Sequence, residues 1–214
     1  MKRYAKFTLT LIALWFTFAL TASVLHLFEN PSNRIGGAVA IAAVVPILIF
    51  GVWYAVSERF RQFVLSIDPR LLTVVQMGRT MGFTFLLLQA RDLLPAVFAF
   101  PAGYGDMTVG ITATLVAWKL AEPSGADPAR RLGFIAWQIL GITDLVVAVG
   151  VGTTAPLLNP DGVSMRLMTV LPLSLIPTFL VPLYLILHVI SIAQARRWPL
   201  RRYATTGTVQ PAGA

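Results

Sequence analysis

The chain alternates long apolar runs with short polar gaps, and each run is close to the length of a membrane-spanning helix. About 20 apolar residues are enough for a helix to cross the hydrocarbon core of a bilayer. Six such spans are predicted, at residues 7–28, 35–56, 71–92, 106–121, 132–152 and 167–193. We therefore predict an all-α integral membrane protein. Residues 1–202 would form a single six-helix domain, and residues 203–214 a disordered tail.

Two regions depart from this simple pattern. The segment between spans three and four is rich in proline and glycine, with Pro95, Pro101, Gly103 and Gly105. It is predicted to be irregular or re-entrant backbone, because proline and glycine both disfavour a regular helix. Span six contains Pro172, Pro177 and Pro182. It is predicted to be a kinked helix whose freed carbonyl groups bond to neighbouring helices or to water.

A third segment, residues 57–70, connects spans two and three. Its apolar side chains recur at helical spacing, at Phe60, Phe63, Val64 and Ile67. This spacing predicts a short amphipathic helix on the membrane surface.

Basic residues are concentrated in alternate gaps between the predicted spans. Of the 17 Lys and Arg residues, 13 lie before span one, after span two, around the end of span four or after span six. The other gaps hold only Arg34, Arg91 and Arg166. Cytoplasmic loops carry such an excess. Both chain ends are therefore predicted in the cytoplasm, and the protein in the inner (plasma) membrane of the cell.

The composition supports a membrane location and removes several other classes. Only 12% of the residues are charged, about half the fraction of a soluble domain. The net charge of +8 lies at helix ends, where it meets anionic headgroups, so we predict the lipid bilayer and not nucleic acid as the partner. The chain has no cysteine, which excludes thiolate metal sites and Cys nucleophiles.

The first span could be mistaken for a secretory signal, because Lys2, Arg3 and Lys6 precede it. Its apolar stretch of about 22 residues exceeds the usual 7–15, and no A-x-A-like site follows. We expect a retained helix.

Ionisable side chains inside spans are costly to bury, so each one is a candidate functional residue. The candidates near the predicted outer side are His26, Arg91, Asp92, Asp106 and Asp144. Those near the predicted inner side are Arg79 and His188.

The two deepest carboxylates each allow two interpretations. Asp144 either binds a proton or cation from an outward cavity, or forms a fixed ion pair with Arg91 or Arg79. Asp106 either caps the start of span four, or lines an outer binding site with Arg91 and Asp92. A lone outer arginine such as Arg91 suits an anionic headgroup or substrate.

Arg79 stands between Gly78 and Gly82, and small residues allow helices to approach closely. The arginine either has a functional role or extends toward the inner headgroups, and the glycine face is a candidate homodimer contact. The two histidines, His26 and His188, differ in predicted depth by roughly 20–25 Å, so they cannot share one haem. Each could still serve a separate cofactor or quinone, or be structural.

The chain carries two resemblances to known proteins. Gly103-Tyr104-Gly105-Asp106 resembles the end of the potassium-channel signature, but Pro101 and Ala102 stand where that signature has Thr and Val. Residues 94–106 and 171–179 resemble segments of small, uncharacterised bacterial polytopic membrane proteins. This second resemblance covers most of spans three to six and implies a bacterial inner-membrane protein, with no assigned activity.

The leading functional hypothesis is an outward-facing polar pocket that binds or transports a small molecule or a lipid. One alternative is a non-catalytic partner or assembly subunit of a larger complex, and another is a redox- or quinone-linked subunit. The chain has no Walker loop, no G-x-S-x-G and no H-E-x-x-H motif, which favours a role other than catalysis. No metal site and no cofactor are predicted.

Overall fold

Every element in the described part of the chain is helical. The computed structural model describes residues 2–30, 36–122, 127–159 and 161–199, with side chains from Tyr4 onward. The α-helices are α1 (Lys2–Val24), α2 (Gly37–Val56), α3 (Glu58–Leu65), α4 (Pro69–Val74), α5 (Phe83–Gln89), α6 (Ala96–Lys119), α7 (Pro128–Leu158) and α8 (Val181–Ala195). Two 3₁₀ segments, Val75–Gly82 and Arg166–Thr169, and a π-helical segment, Ile176–Leu180, interrupt them. The predicted tail at 203–214 lies outside the described residues.

Within the described residues, five helices are long and apolar enough to cross a membrane. They are Tyr4–Val24, Gly37–Val56, Pro69–Gln89, Pro128–Leu158 and Ile176–Ala195. The third of these, here called the Pro69–Gln89 helix, joins α4, the 3₁₀ segment Val75–Gly82 and α5. α6 is as long as these helices, with 24 residues, but it is more polar.

The middle of the bundle is α6, which packs between the Pro69–Gln89 helix and α7. Small side chains such as Ala99, Val109 and Ala113 are completely buried along it. α8 packs against α7 and α2, whereas α1 and α2 lie at the periphery. The span windows reflect this order, because 44% of the Ile176–Ala195 window is buried and only 6% of the α2 window. The core therefore lies around α6.

The predicted irregular segment between spans three and four is wrong from Ala96 onward, because α6 starts there and continues through Pro101 and Gly103. Pro95 occupies the N-cap position, where its missing N–H costs nothing. Gly103 lets the helices approach, since a Cβ on it would lie 2.7 Å from a methyl carbon of Leu86. Close packing thus compensates for the poor helix propensity of this stretch.

The structure also differs from the prediction of one kinked helix over residues 167–193. Helix begins only at Ile176, after the 3₁₀ turn Arg166–Thr169 and a non-helical stretch that includes Pro172. Pro177 and Pro182 lie in the first turns of the π-helical segment and of α8. Pro177 is tolerated because the first amide groups of a helix have no partner within it. Pro182 lies at the junction where the π-helical segment continues into α8.

The connector after α2 forms the predicted short helix, α3, but its apolar face turns inward. Phe60 and Val64 are buried against α2 and α8, and the Phe60 ring stacks on Trp53 with centroids 3.8 Å apart. The Gln194 amide of α8 donates to the carbonyl of Ile67 at 2.7 Å. The apolar face of the connector therefore packs within the protein.

The two ends of the bundle differ in charge. At one end, where α6 finishes and α7 begins, Arg70 donates to the Ala121 carbonyl at 3.3 Å and its guanidinium lies 5.5 Å above the Trp118 ring. Arg131 donates to the carbonyl of Arg196 at 3.4 Å at this same end. We call it the basic end. The opposite end, where α5 finishes and α6 begins, is called the α5–α6 end.

Candidate functional site

Arg79 is a buried arginine in the middle of the Pro69–Gln89 helix, and only 2% of it is exposed. A guanidinium in apolar surroundings needs a partner for each of its donors. Its Nε donates to Asp106 Oδ1 at 2.7 Å, and its Nη2 donates to Asp144 Oδ2. Its Nη1 donates to the Gly141 carbonyl at 3.2 Å. One arginine therefore ties α6 and α7 to the Pro69–Gln89 helix.

His188 of α8 completes this arrangement. The imidazole is fully buried, and its Nε2 lies 3.2 Å from Arg79 Nη1, while its Nδ1 lies 2.5 Å from Gln138 Oε1. Arginine can only donate, so Nε2 accepts and the proton sits on Nδ1, which donates to Gln138. This network makes the imidazole neutral. We call Arg79, Asp106, Asp144 and His188 the charge centre.

The formal charges in the charge centre do not balance. One guanidinium faces two carboxylates, and the imidazole is neutral in this hydrogen-bonding pattern. An uncompensated charge among apolar helices is expensive. The arrangement therefore suits one further positive charge beside the carboxylates.

Two glycines provide the space that the charge centre occupies. A Cβ on Gly141 would overlap the imidazole of His188 and lie 3.2 Å from Arg79 Nη1. A Cβ on Gly105 would overlap the carboxylate of Asp144. Any larger residue at either position would displace a charged partner.

Two cavities reach the charge centre, and both touch Asp106. The smaller, of about 20 Å³, is also lined by Arg79 and Tyr184. The larger, of about 70 Å³, extends from Asp106 to Phe98 and Gly152 at the α5–α6 end. A cavity needs about 10–15 Å³ to hold a water molecule. Asp106 is therefore the carboxylate that water or a small ligand can approach from the α5–α6 end.

The remaining predicted site residues do not join the charge centre. Arg91 and Asp92 are exposed in the turn after α5, where Asp92 adopts a left-handed backbone (φ 53°) that ends the helix. His26 lies in the turn after α1, with its Nδ1 2.5 Å from Glu29 Oε1. The predicted outer cluster of Arg91, Asp92, Asp106 and Asp144 is therefore reduced to its two aspartates.

Glu29 links this turn to the segment after α7. Its Oε2 lies 3.5 Å from Arg166 Nη2. The hydrogen bond from His26, and the charges of His26 and Arg166, hold the pKa of Glu29 below its usual value. This group is a polar contact at the α5–α6 end of the bundle.

Comparison with known families gives one match. A family profile described as Domain of unknown function (DUF8737) matches residues 37–196. The chain belongs to this family. The DUF8737 region runs from α2 to the end of α8 and contains the whole charge centre, whereas α1 precedes it. Comparisons with curated proteins and with solved structures found no match.

Within the DUF8737 region, three predictions from the sequence need correction. Asp106 does not cap a helix, because α6 begins at Ala96 and places it in the helix interior. Arg79 does not reach toward headgroups, because both carboxylates lie beside it. The Gly78–Gly82 face packs within the chain, where Gly78 meets the Tyr184 hydroxyl and Gly82 meets Asp106.

A haem site at His188 and the potassium-channel resemblance find no counterpart in the geometry. Both ring nitrogens of His188 are engaged, by Arg79 and Gln138, so neither is open to a haem iron. Gly103-Tyr104-Gly105-Asp106 lies inside α6. Helical carbonyl groups bond to amides one turn later, so this stretch does not present the free carbonyl oxygens of a potassium filter.

The sequence reasoning did not select Gln138, Gly105 or Gly141 as site residues. Gln138 is 1% exposed and orients His188, while its own Nε2 has no partner in the described part of the chain. An amide in an apolar run, two turns before Asp144, was the available signal. The glycines could not have been found without knowing which helices face each other.

Proposed function

We propose that the protein is a multi-pass inner-membrane carrier that binds a proton or small cation at the charge centre while it moves a small molecule or lipid. The observation that carries this proposal is the charge imbalance of a buried site at the end of a cavity. One guanidinium faces two carboxylates from separate helices. A bound positive charge would complete the site, and its release would change the interactions that hold three helices together.

The helix interruptions around the charge centre support a transport role. Arg79 belongs to a 3₁₀ segment, and the π-helical segment Ile176–Leu180 contributes Ile176 to both cavities. Interrupted helices that line a cavity are a recurrent device of secondary transporters, because their backbone can rearrange around a bound ligand. Both interruptions lie beside Asp106.

In this proposal α6 also crosses the membrane, which brings the number of crossings to six, and the basic end lies in the cytoplasm. α6 is long enough to span, and its one carboxylate, Asp106, faces the bundle interior, which is where a membrane protein can carry a charge. With the basic end inside, the cavity between Asp106 and the α5–α6 end opens toward the outer face. Asp106 is then the residue at which the positive charge enters, and Arg79 the anchor that holds both aspartates.

The proposal can be tested by recording charge displacement in proteoliposomes on a solid-supported membrane. Two solution exchanges distinguish a proton from a cation as the bound charge. One is a pH step at constant sodium concentration, and the other is a sodium step at constant pH. We expect one of these exchanges to give a transient current with the unaltered protein. Asp106→Asn should abolish this current, because it removes the negative charge that lines both cavities.

Asp92→Asn is the matched control, because Asp92 is an exposed aspartate away from the charge centre. Its current should equal that of the unaltered protein. Currents no larger than those of protein-free liposomes for both exchanges, or equal currents from the two Asn variants, would contradict the proposal.

A second candidate function is that of a non-catalytic partner in a larger membrane complex. The observation in its favour is the exposure of α2, where large apolar side chains such as Ile41, Leu48 and Val52 are each at least 60% exposed. Lipid covers such a face in a monomer, and another helix could cover it in a complex. Purification in mild detergent with a stoichiometric second protein, and no current in either exchange, would favour this role.

A further inference from the structure

A long apolar groove runs between α1, α2 and α8, separate from the charge centre. Its volume is about 470 Å³, within the range of about 300–1,000 Å³ that is usual for ligand sites. α1 forms one wall with Leu11, Trp15 and Phe18, and the opposite wall belongs to the DUF8737 region. α1 contacts that region mainly through α3 and the π-helical segment, which leaves the groove open between the contacts.

The groove is slightly longer along α2 than one leaflet of a bilayer is thick. Along α2 it extends from Trp53 near the basic end to Ile41. A separation of 12 positions, from 41 to 53, corresponds to about 18 Å of helix, and one leaflet of the hydrocarbon core is about 15 Å thick, half of about 30 Å. A single extended acyl chain that enters from the basic end would fill it.

An unpartnered hydroxyl group lies near the basic end of this groove. Thr8 lines the groove, and its Oγ1 is buried without a hydrogen-bond partner in the described part of the chain. Other threonines of α1 bond back to the preceding turn, as Thr10 does to the Lys6 carbonyl at 3.0 Å and Thr17 to the Ala13 carbonyl at 2.9 Å. Thr8 is thus free to donate to a polar group that enters from the basic end.

The same end of the groove is rimmed by positive charge. Phe60 lines the groove, and its neighbour Arg59 is exposed on α3. Lys6 is exposed two residues before Thr8, and the Phe7 ring packs edge-on against Trp53 at 5.8 Å, which places this part of α1 beside the groove. An anionic headgroup above the groove would lie near both cations.

We propose that this groove is a binding site for one anionic phospholipid of the leaflet at the basic end. One acyl chain lies between α1 and α2, an ester carbonyl accepts a hydrogen bond from Thr8, and the phosphate lies near Lys6 and Arg59. The site couples α1, which precedes the DUF8737 region, to that region through a lipid.

The test is native mass spectrometry of the full-length, delipidated protein in mild detergent. The probes are phosphatidylglycerol and phosphatidylcholine with identical oleoyl chains, supplied together in equal amounts. We expect one retained phosphatidylglycerol per chain, preferred on the order of tenfold over phosphatidylcholine because of the two cations. Arg59→Gln should reduce this preference.

Two matched pairs of variants separate the groove from the general lipid-facing surface. Leu11→Trp fills the groove and should abolish retention, whereas Leu14→Trp changes an exposed residue of the same helix outside the groove and should not. Thr8→Val should weaken retention about fivefold through loss of one hydrogen bond. Thr10→Val should leave it unchanged, since that hydroxyl is bonded within α1.

Three results would overturn the proposal. The first is equal retention of the two lipids, and the second is no retained lipid with the unaltered protein. The third is a doubled protein mass that Leu11→Trp abolishes, because a second copy would then occupy the groove. If the Trp variants do not fold, the test rests on Thr8→Val and Thr10→Val. Equal lipid retention by these two variants would contradict the proposed lipid site.

Discussion

Replacing Gly141 with alanine is expected to disrupt the charge centre, whereas the same change at Gly150 of the same helix is expected to stabilise the protein slightly. A Cβ on Gly141 would overlap the His188 imidazole and lie 3.2 Å from Arg79 Nη1. A Cβ on Gly150 would have no atom within 4 Å apart from its own helix and chain neighbours. The pair therefore isolates the effect of the space beside the charge centre from the effect of helix propensity.

The expected magnitudes have opposite signs. Alanine improves the helix by about 0.8–1 kcal/mol relative to glycine, and at Gly150 this is the whole effect. At Gly141 overpacking costs about 1–3 kcal/mol, and a displaced, unsatisfied imidazole costs about 1–3 kcal/mol more. The net expectation for Gly141→Ala is a loss of about 1–5 kcal/mol once the helix gain is subtracted.

Thermal unfolding in detergent, followed by tryptophan fluorescence, measures this difference. Trp137 is a local reporter, because its ring centroid lies 5.7 Å from that of His188. At about 2–4 °C per kcal/mol for a domain of this length, the two variants should unfold at least about 3 °C apart, with Gly141→Ala the lower. Equal unfolding temperatures for the two variants would refute the argument that Gly141 makes room for the charge centre.

Three further predictions concern the orientation of the chain, the amide that orients His188, and the contacts of Glu29. Single cysteines can be introduced freely, since the chain has none. In intact cells an impermeant maleimide should label Asp161→Cys but not Gln62→Cys, and the reverse pattern would invert the proposed orientation. Gln138→Leu leaves His188 Nδ1–H without an acceptor and should lower the unfolding temperature, at a cost of about 1–3 kcal/mol. Because the pKa of Glu29 is lowered, its contacts stabilise the fold above the ordinary value of 4.5 and are lost as the pH falls through the lower folded value. Carboxyl NMR titration should show His26→Ala moving that pKa back up.

The arrangement of apolar runs predicted most of the helices, because length and hydropathy alone determine whether a segment can lie in hydrocarbon. Residues 35–56, for example, were predicted as a span, and α2 occupies Gly37–Val56. The predictions fail where they treat proline and glycine as helix breakers. Pro101 and Gly103 lie inside α6, since packing against Leu86 outweighs local propensity. Propensity is a weak guide wherever tertiary contacts are this close.

The pairing of the buried charges was only partly predictable. The sequence allows an ion pair of Asp144 with Arg91 or Arg79 as one of two alternatives, because few cations lie within or beside the spans. The predicted start of span four at Asp106 separates this residue from Arg79, whereas in the structure it lies inside α6 and pairs with Arg79. The roles of Gln138 and Gly141 depend on the position of α8 against α7, which no pattern within a single helix encodes.

The most direct test of the charge centre compares the unfolding temperatures of Arg79→Gln and of a triple variant that also carries Asp106→Asn and Asp144→Asn. Removing the arginine leaves two buried carboxylates without their shared partner, which should cost about 3–5 kcal/mol. The triple variant has no charge left to bury and should recover most of that loss. Two results would contradict the existence of the charge centre. One is an Arg79→Gln variant that unfolds at the wild-type temperature, and the other is a triple variant no more stable than the Arg79→Gln variant.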